Sequence, residues 1–360
     1  MGKYSLENYS PYASEIIRPK PTKQSYENIG GGTITYLRYS WDELEQERGV
    51  YQLTVLKEEI KKTLNPVLIL EANPPQWMKG SLVKCFSRLI RRVGSSLKEE
   101  QYLAGVIITS LNHCVEVWDS YIDAFEETPI IADLMDRELI TYLKSKKVTF
   151  GLAVRCKESN WIEVCEKFAR DGLQKTWESA PVLLQLEDEV GENVVRESMR
   201  WHAAYADFAI DIGYKYALRR VTYPKKSSTK GALPIRYWFV NNGSAPCYIP
   251  FTLKIKLKKG TLEYILPLKI SSDLWRPGDI THNEILQLPS IEPGTYSLST
   301  GIFFDQDKWM KLTIDAEDER GFYYLGELEV DSEDRDEMYE IWNHFYPEGY
   351  YPLEDPKVPS

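Results

Sequence analysis

From Thr33 onward the chain alternates short β-rich runs with helix-like stretches, and no other feature restricts its fold so sharply. The β-rich runs fall at 33–39, 66–72, 103–110, 128–133, 148–155, 181–187 and 214–219. Helical stretches at 53–64, 82–92, 136–146, 161–177 and 192–212 separate most of them. The stretch at 82–92 places apolar residues at 82, 83, 86, 89, 90 and 93, which is one face of a helix. Repeated alternation of this kind implies parallel strands joined by right-handed crossovers. Seven visible strands and an irregular one before Thr33 make eight, the number that closes a TIM-type (β/α)8 barrel. An open doubly wound sheet competes, but Gly30–Gly32 precedes a strand instead of following one, so its glycine fingerprint is missing.

Near Pro224 the pattern changes. A polar linker at 225–231 leads into strand candidates at 235–241, 251–258, 262–269, 281–288, 295–303, 311–314 and 322–330. Phe251, Leu253, Ile255 and Leu257 alternate with Thr252, Lys254, Lys256 and Lys258, a period of two that buries one face and wets the other. Asn242-Gly243, Lys259-Gly260, Pro277-Gly278 and Pro293-Gly294 supply turns. Seven short strands so spaced read as an all-β, Ig-like antiparallel sandwich. The expected domains are therefore a barrel over 1–224, a sandwich over 225–331 and an acidic, aromatic tail over 332–360.

The 360 residues fit two domains. Lys plus Arg total 44 against 54 Asp plus Glu, and the resulting charge of −10 argues against a nucleic-acid partner or an anionic membrane surface. No segment is apolar enough to span a bilayer, and the polar first 14 residues lack a signal core. The sequence as written reads as cytoplasmic, or as secreted if a leader has been removed. Five scattered cysteines fit buried thiols better than a disulfide framework. The sequence leaves the oligomeric state open.

In a barrel of this kind the chemistry sits at the C-terminal ends of the strands. Those ends carry Arg38 and Trp41; Glu71 and then Trp77; Asn112 and His113, with Glu116 beyond; Arg155 and then Trp161; and Glu187. Carboxylates, guanidiniums and indoles at one rim are what a sugar site uses, since indole faces stack on pyranose rings while charged groups bond hydroxyls. Side-chain parity sharpens two positions. Glu187 shares a face with Leu183 and Gln185, opposite the wholly apolar Val182, Leu184 and Leu186, and so points inward. Arg155 lies with Thr149, Gly151 and Ala153, opposite Phe150, Leu152 and Val154, and points inward too. Parity does not settle Arg38 or Glu71.

The run Tyr36-Leu37-Arg38-Tyr39-Ser40-Trp41-Asp42-Glu43-Leu44-Glu45, then Gly49-Val50-Tyr51, resembles the second-strand motif of clan A glycoside-hydrolase barrels. Gly213-Tyr214-Lys215-Tyr216, with 240–246 and Trp275-Arg276-Pro277-Gly278, resembles a bacterial, DUF4832-like family that joins a glycosidase-like barrel to a C-terminal sandwich. The resemblance implies a carbohydrate substrate, no metal or organic cofactor, and Glu187 at the position of the nucleophile. It departs from the clan at strand four, where the acid/base glutamate usually follows an Asn or Gly. Here Asn112 is followed by His113, and the nearest carboxylate is Glu116.

Each candidate also has a structural explanation. Glu187 and Glu71 serve equally as rim carboxylates paired with arginine. Glu116 fits a solvated loop, Trp41, Trp77 and Trp161 seal loops, and the lysines of 254–258 form a wet strand face. His113 and Cys114 are adjacent and point apart, so they make no catalytic pair. His202, His282 and His344 are too dispersed for zinc. Three functions remain: a glycoside hydrolase with Glu187, partnered by Glu71 or Glu116; a non-catalytic carbohydrate-binding protein on the same scaffold; and a structural or interaction module.

Overall fold

The structure, a computed structural model, describes residues 14–17, 32–63, 65–98, 103–111, 113–186, 191–207, 210, 212–304, 308–314, 316 and 318–332. Contacts divide the chain into two units. One holds Gly31–Tyr214 and Gly243–Pro250; the other holds Met1–Gly30, Lys215–Asn242 and Phe251–Ser360, and its first strand is β1 (Ser14–Ile17).

The Gly31–Tyr214 unit is a curled parallel sheet with helices, TIM-like in kind. Its strands are β2 (Gly32–Thr33), β3 (Thr35–Ser40), β4 (Pro66–Glu71), β5 (Gly105–Ile107), β6 (Ile130–Asp133), β7 (Gly151–Cys156), β8 (Val182–Leu186) and β9 (Tyr205–Ala206). Hydrogen bonding runs β2-β9-β8-β7-β6-β5-β4-β3. Only Ile34 separates β2 from β3, and its N–H donates to the Ala206 carbonyl at 2.9 Å while Thr35 pairs with Pro66. One segment thus borders both ends of the sheet and counts as a single strand, which makes seven strands instead of the expected eight.

The six expected runs from 33–39 to 181–187 all contain strands of this sheet. The seventh, at 214–219, does not. It supplies part of β10 (Tyr216–Pro224) in the other unit, and the two residues of β9 take its place. A tight fit inside the curl explains part of the composition. A Cβ on Gly151 would lie 2.3 Å from the Pro181 carbonyl oxygen and 2.6 Å from Ile131 Cδ1, so no larger residue fits.

The helices are α1 (Trp41–Leu44), α2 (Leu53–Lys62), α3 (Leu82–Leu97), α4 (Val115–Ala124), α5 (Arg137–Ser145), α6 (Trp161–Arg170) and α7 (Glu192–Arg200). The Ser81 side chain caps α3, and Phe86, Leu89, Ile90, Val93 and Leu97 bury its apolar stripe. Asp136 caps α5 by accepting the Leu139 N–H at 3.0 Å. The stretch expected as a helix at 192–212 ends as α7 at Arg200 and then turns into β9.

In the second unit, the other strands are β11 (Lys226–Ser228), β12 (Ala232–Asn241), β13 (Thr252–Lys259), β14 (Leu262–Pro267), β15 (Gly278–Gln287), β16 (Gly294–Phe303), β17 (Trp309–Met310), β18 (Asp318–Glu319) and β19 (Phe322–Asp331). One sheet is the antiparallel β1-β10-β12-β15; the other follows β11-β19-β16-β13-β14, with β17 on β16 and β18 on β19. Only β11 and β19 pair in parallel among them. The Tyr237 hydroxyl meets Thr300 Oγ1 at 2.9 Å, joining the two sheets face to face.

The alternation along β13 places Leu253, Ile255 and Leu257 fully inside. The opposite face is not the wet one expected: Lys256 is 5% exposed, its Nζ lies 2.8 Å from Glu319 and it sits over the Phe322 ring. The acidic tail expected over 332–360 lies, beyond Ser332, outside the described residues. No helix among them is long and apolar enough to cross a membrane.

Candidate functional site

Two sets of packed side chains tell inside from outside in the curled sheet. Leu68, Leu70, Val106, Ala132, Leu152, Val154, Val182 and Leu184 pack with the helices. Ile34, Val67, Ile131, Ala153, Leu183 and Tyr205 pack with one another in the interior. Strand residues two apart share a face, so Tyr36 and Arg38 follow Ile34 inward, Glu71 follows Val67, and Asp133 follows Ile131. Arg155 follows Ala153, Gln185 follows Leu183, and Asp207 follows Tyr205 by the same rule. Arg38, Glu71, Asp133, Arg155, Gln185 and Asp207 stand toward the C-terminal ends of their strands, while Tyr36 lies deeper, packed against the interior apolar cluster.

These groups are linked. The Arg38 guanidinium lies 3.6 Å from the Glu71 carboxylate, and that of Arg155 lies 3.6 Å from Asp133. Arg155 Nε donates to Gln185 Oε1 at 3.1 Å. The Leu186 N–H donates to Asp207 Oδ1 at 2.9 Å, which fixes that carboxylate beside the end of β8. At 3.6 Å the two ion pairs are longer than hydrogen bonds, and both arginines are more than half exposed. Each guanidinium therefore keeps N–H donors for a ligand. Below them the Tyr36 phenol is pushed up to about 12, first by burial and further by Asp207, while Gln185, Arg38 and Arg155 pull the other way. The cup offers cationic donors, anionic acceptors and a neutral phenol within one ring.

Of the residues singled out in the sequence, Arg38, Glu71 and Arg155 meet in this cup. His113 stands beside it: Ser110 Oγ donates to Asp136 Oδ2 at 2.6 Å, and His113 Nδ1 lies 3.5 Å from Glu138 and 3.8 Å from Asp136. Glu116 is exposed in the first turn of α4, an outer helix. Its carbonyl accepts the Ser120 hydroxyl at 2.7 Å.

Trp41, expected as a stacking platform, is instead fully buried, its ring centroid 5.8 Å from that of Phe86 and 6.1 Å from that of Trp77. Trp77 and Trp161 pack, half-buried, against the same outer core. Glu187 and Asn112 lie outside the described residues. Sequence reasoning missed Tyr36, Asp133, Gln185 and Asp207 as site residues. The parity that turned Arg155 inward applies equally to Asp133 and Gln185, whereas Asp207 was hidden in a stretch read as helix.

The motif around Glu45 has a structural explanation. Glu45 is buried, and its carboxylate accepts from Trp41 Nε1 at 2.9 Å, from the Gly49 N–H at 2.8 Å and from Arg88 at 2.9 Å. Its carbonyl accepts Trp77 Nε1 at 2.9 Å. Gly49 turns with φ +83, where a side chain is strained, and Tyr51 follows it toward α2. The Leu44-Glu45 and Gly49-Val50-Tyr51 pattern therefore builds a loop clip behind the sheet.

Among the described residues no group of three or more His, Cys, Asp or Glu is placed to hold a metal ion. Compared with known proteins, the chain matches no family model and no curated protein. Solved structures similar to it include endo-glycoceramidase II from Rhodococcus sp., with a TM-score of 0.34 and 9% identity over 69% of this chain and 88% of that one. A β-glucosidase from Listeria innocua in complex with laminaribiose aligns at TM-score 0.22 and 9% identity, over 88% of this chain and 48% of that one. β-Glucosidase 3B from Thermotoga neapolitana gives 0.18 and 10%, over 87% and 53%. The chain thus spans about half the length of these β-glucosidases. The likeness is to a glycosidase-like fold, and it is weak.

Proposed function

We propose that this chain is a carbohydrate-directed protein of the glycoside-hydrolase kind, a (β/α)-barrel reduced to seven strands and joined to an Ig-like sandwich, as in the DUF4832-like family. The observation that carries this reading is the ring of Arg38, Glu71, Asp133, Arg155, Gln185 and Asp207 around one open cup. Sugar hydroxyls both donate and accept, and a ring of alternating guanidinium, amide and carboxylate groups serves both needs. The substrate is an oligosaccharide or polysaccharide. Cleavage of its O-glycosidic bond needs two carboxyls, one giving a proton to the leaving oxygen and the other attacking or activating water.

Glu187 is the proposed nucleophile or base. Of its two candidate partners Glu71 is the better, because Glu71 lies in the cup while Glu116 sits on an outer helix. Glu187→Gln should abolish release of reducing ends from any glycoside the wild type cleaves. Undiminished turnover in that variant would remove the assignment.

One observation favours a second reading, binding without cleavage. Glu71 and Asp133 each face an arginine, and Glu116 is displaced from the cup. In that case oligosaccharides bind saturably and no reducing ends appear.

A further inference from the structure

Away from the cup, the faces of α2 and α3 and the loop before α2 border an open surface cleft of about 510 Å³, lined by Gly49, Val50, Tyr51, Thr54, Lys57 and Arg92 among others. Thr54 and Lys57 are three apart on α2 and share a side, and Arg92 and Ser96 are four apart on α3 and do the same. The lining holds two cations and no acid. In a chain with a net charge of −10 that is a marked local excess of positive charge.

Several carboxylates nearby among the described residues have partners of their own. Glu45 takes Arg88, Glu58 pairs with Lys62 at 3.5 Å, and Glu59 accepts the Tyr39 hydroxyl. Among the described residues neither Lys57 nor Arg92 has a carboxylate at ion-pairing distance; Arg92 lies over the Tyr51 ring, 5.7 Å from its centroid.

We propose that this cleft binds a soluble phosphate monoester, with Lys57, Arg92 and the Thr54 hydroxyl on the phosphate and the organic part against Tyr51 and Val50. A phosphate dianion presents several oxygens to a guanidinium, an ammonium and a hydroxyl at once, as a single carboxylate does less well. The volume exceeds what a bare phosphate fills and falls in the range of small-molecule sites, and Val50, 49% exposed, offers apolar surface beside the cations. The net negative charge of the chain sets a soluble ester ahead of an anionic lipid surface. This site is independent of the sugar reading of the cup.

The test is calorimetric titration of the full chain with inorganic phosphate and with phenyl phosphate at constant ionic strength. Both should bind, the phenyl ester more tightly. Exchange of Lys57→Ala together with Arg92→Ala should weaken each by about tenfold or more, since every lost charge-assisted contact is of that order. Lys62→Ala should bind as wild type does. The exchanged positions lie on helix surfaces that favour alanine, and phosphorus NMR line broadening on the wild type alone supplies a readout free of any folding effect. Absence of broadening and heat with both ligands, or undiminished binding in the double variant, would overturn the proposal. So would Lys57- and Arg92-dependent co-sedimentation with phosphatidic-acid vesicles when neither soluble ligand binds.

Discussion

At the scale of single residues, Glu45 and Tyr36 carry opposite kinds of constraint. Glu45 is a buried anion surrounded by donors, so its removal orphans Arg88, the Trp41 indole and the Gly49 amide together. Arg88 is 42% exposed and reaches water, whereas the buried Trp41 indole is left without an acceptor, so Glu45→Ala should cost about 1–3 kcal/mol in urea denaturation. Gly49→Ala meets no atom within 4 Å, so its cost is the backbone strain at φ +83 alone, about 1 kcal/mol by the same measurement.

Tyr36 is neutral and buried, with its folded pKa raised from 10.0 to about 12. Its contribution to stability is fully present below pH 10 and is lost as pH climbs toward 12, because the unfolded chain ionises first. The stability difference between wild type and Tyr36→Phe should therefore hold constant below pH 10 and shift only above it. Parity in the sequence was enough to orient Arg155, because one face of its strand is wholly apolar. Residue type alone misjudged Trp41, since an indole beside a strand end looks the same whether it stacks on a ligand or, as here, bonds a buried glutamate.

At the scale of elements, the legible strands were those with a clear period or a continuous apolar run. Pro66–Glu71 is apolar throughout save its last residue, as parallel strands covered on both faces are. Two residues of β9 give no period at all, and the run at 214–219 alternates just as well in an antiparallel sheet as in a parallel one. The Gly243–Pro250 segment was expected within the sandwich over 225–331, with a turn at Asn242-Gly243, yet it joins the curled-sheet unit, with Ala245 in the interior cluster. Nothing local in its sequence announces a contact with Ala203, some forty residues earlier.

Ser244 secures that segment, its hydroxyl donating to the Ala203 carbonyl at 2.6 Å and accepting the Gly213 N–H at 2.8 Å. Ser244→Ala should cost about 1–3 kcal/mol, read from denaturant midpoints. In the other unit, hydrogen bonds from Lys256 and Lys258 hold the Glu319 carboxyl down to about 2. A depressed carboxyl stabilises above its unfolded pKa and stops doing so as pH falls through the folded one. The melting temperatures of wild type and Glu319→Gln should accordingly differ near neutrality and converge between pH 4.5 and about 2.

At the scale of the whole molecule, strand–helix alternation and turn-punctuated β pairs foretold a curled parallel sheet and a second, β-rich unit. The cup was only half foreseen, because convergence depends on which strands become neighbours, and a linear sequence gives parity without adjacency. Arg155 meets Asp133 and Gln185 because β7 lies between β6 and β8. Whether that convergence serves a sugar, as proposed, is measured directly by calorimetric binding of an oligosaccharide panel to wild type and to Arg155→Ala. Saturable binding of at least one neutral oligosaccharide, weakened about tenfold or more in the variant, is the predicted result. A panel in which nothing binds, or binding that the variant leaves unchanged, would contradict it.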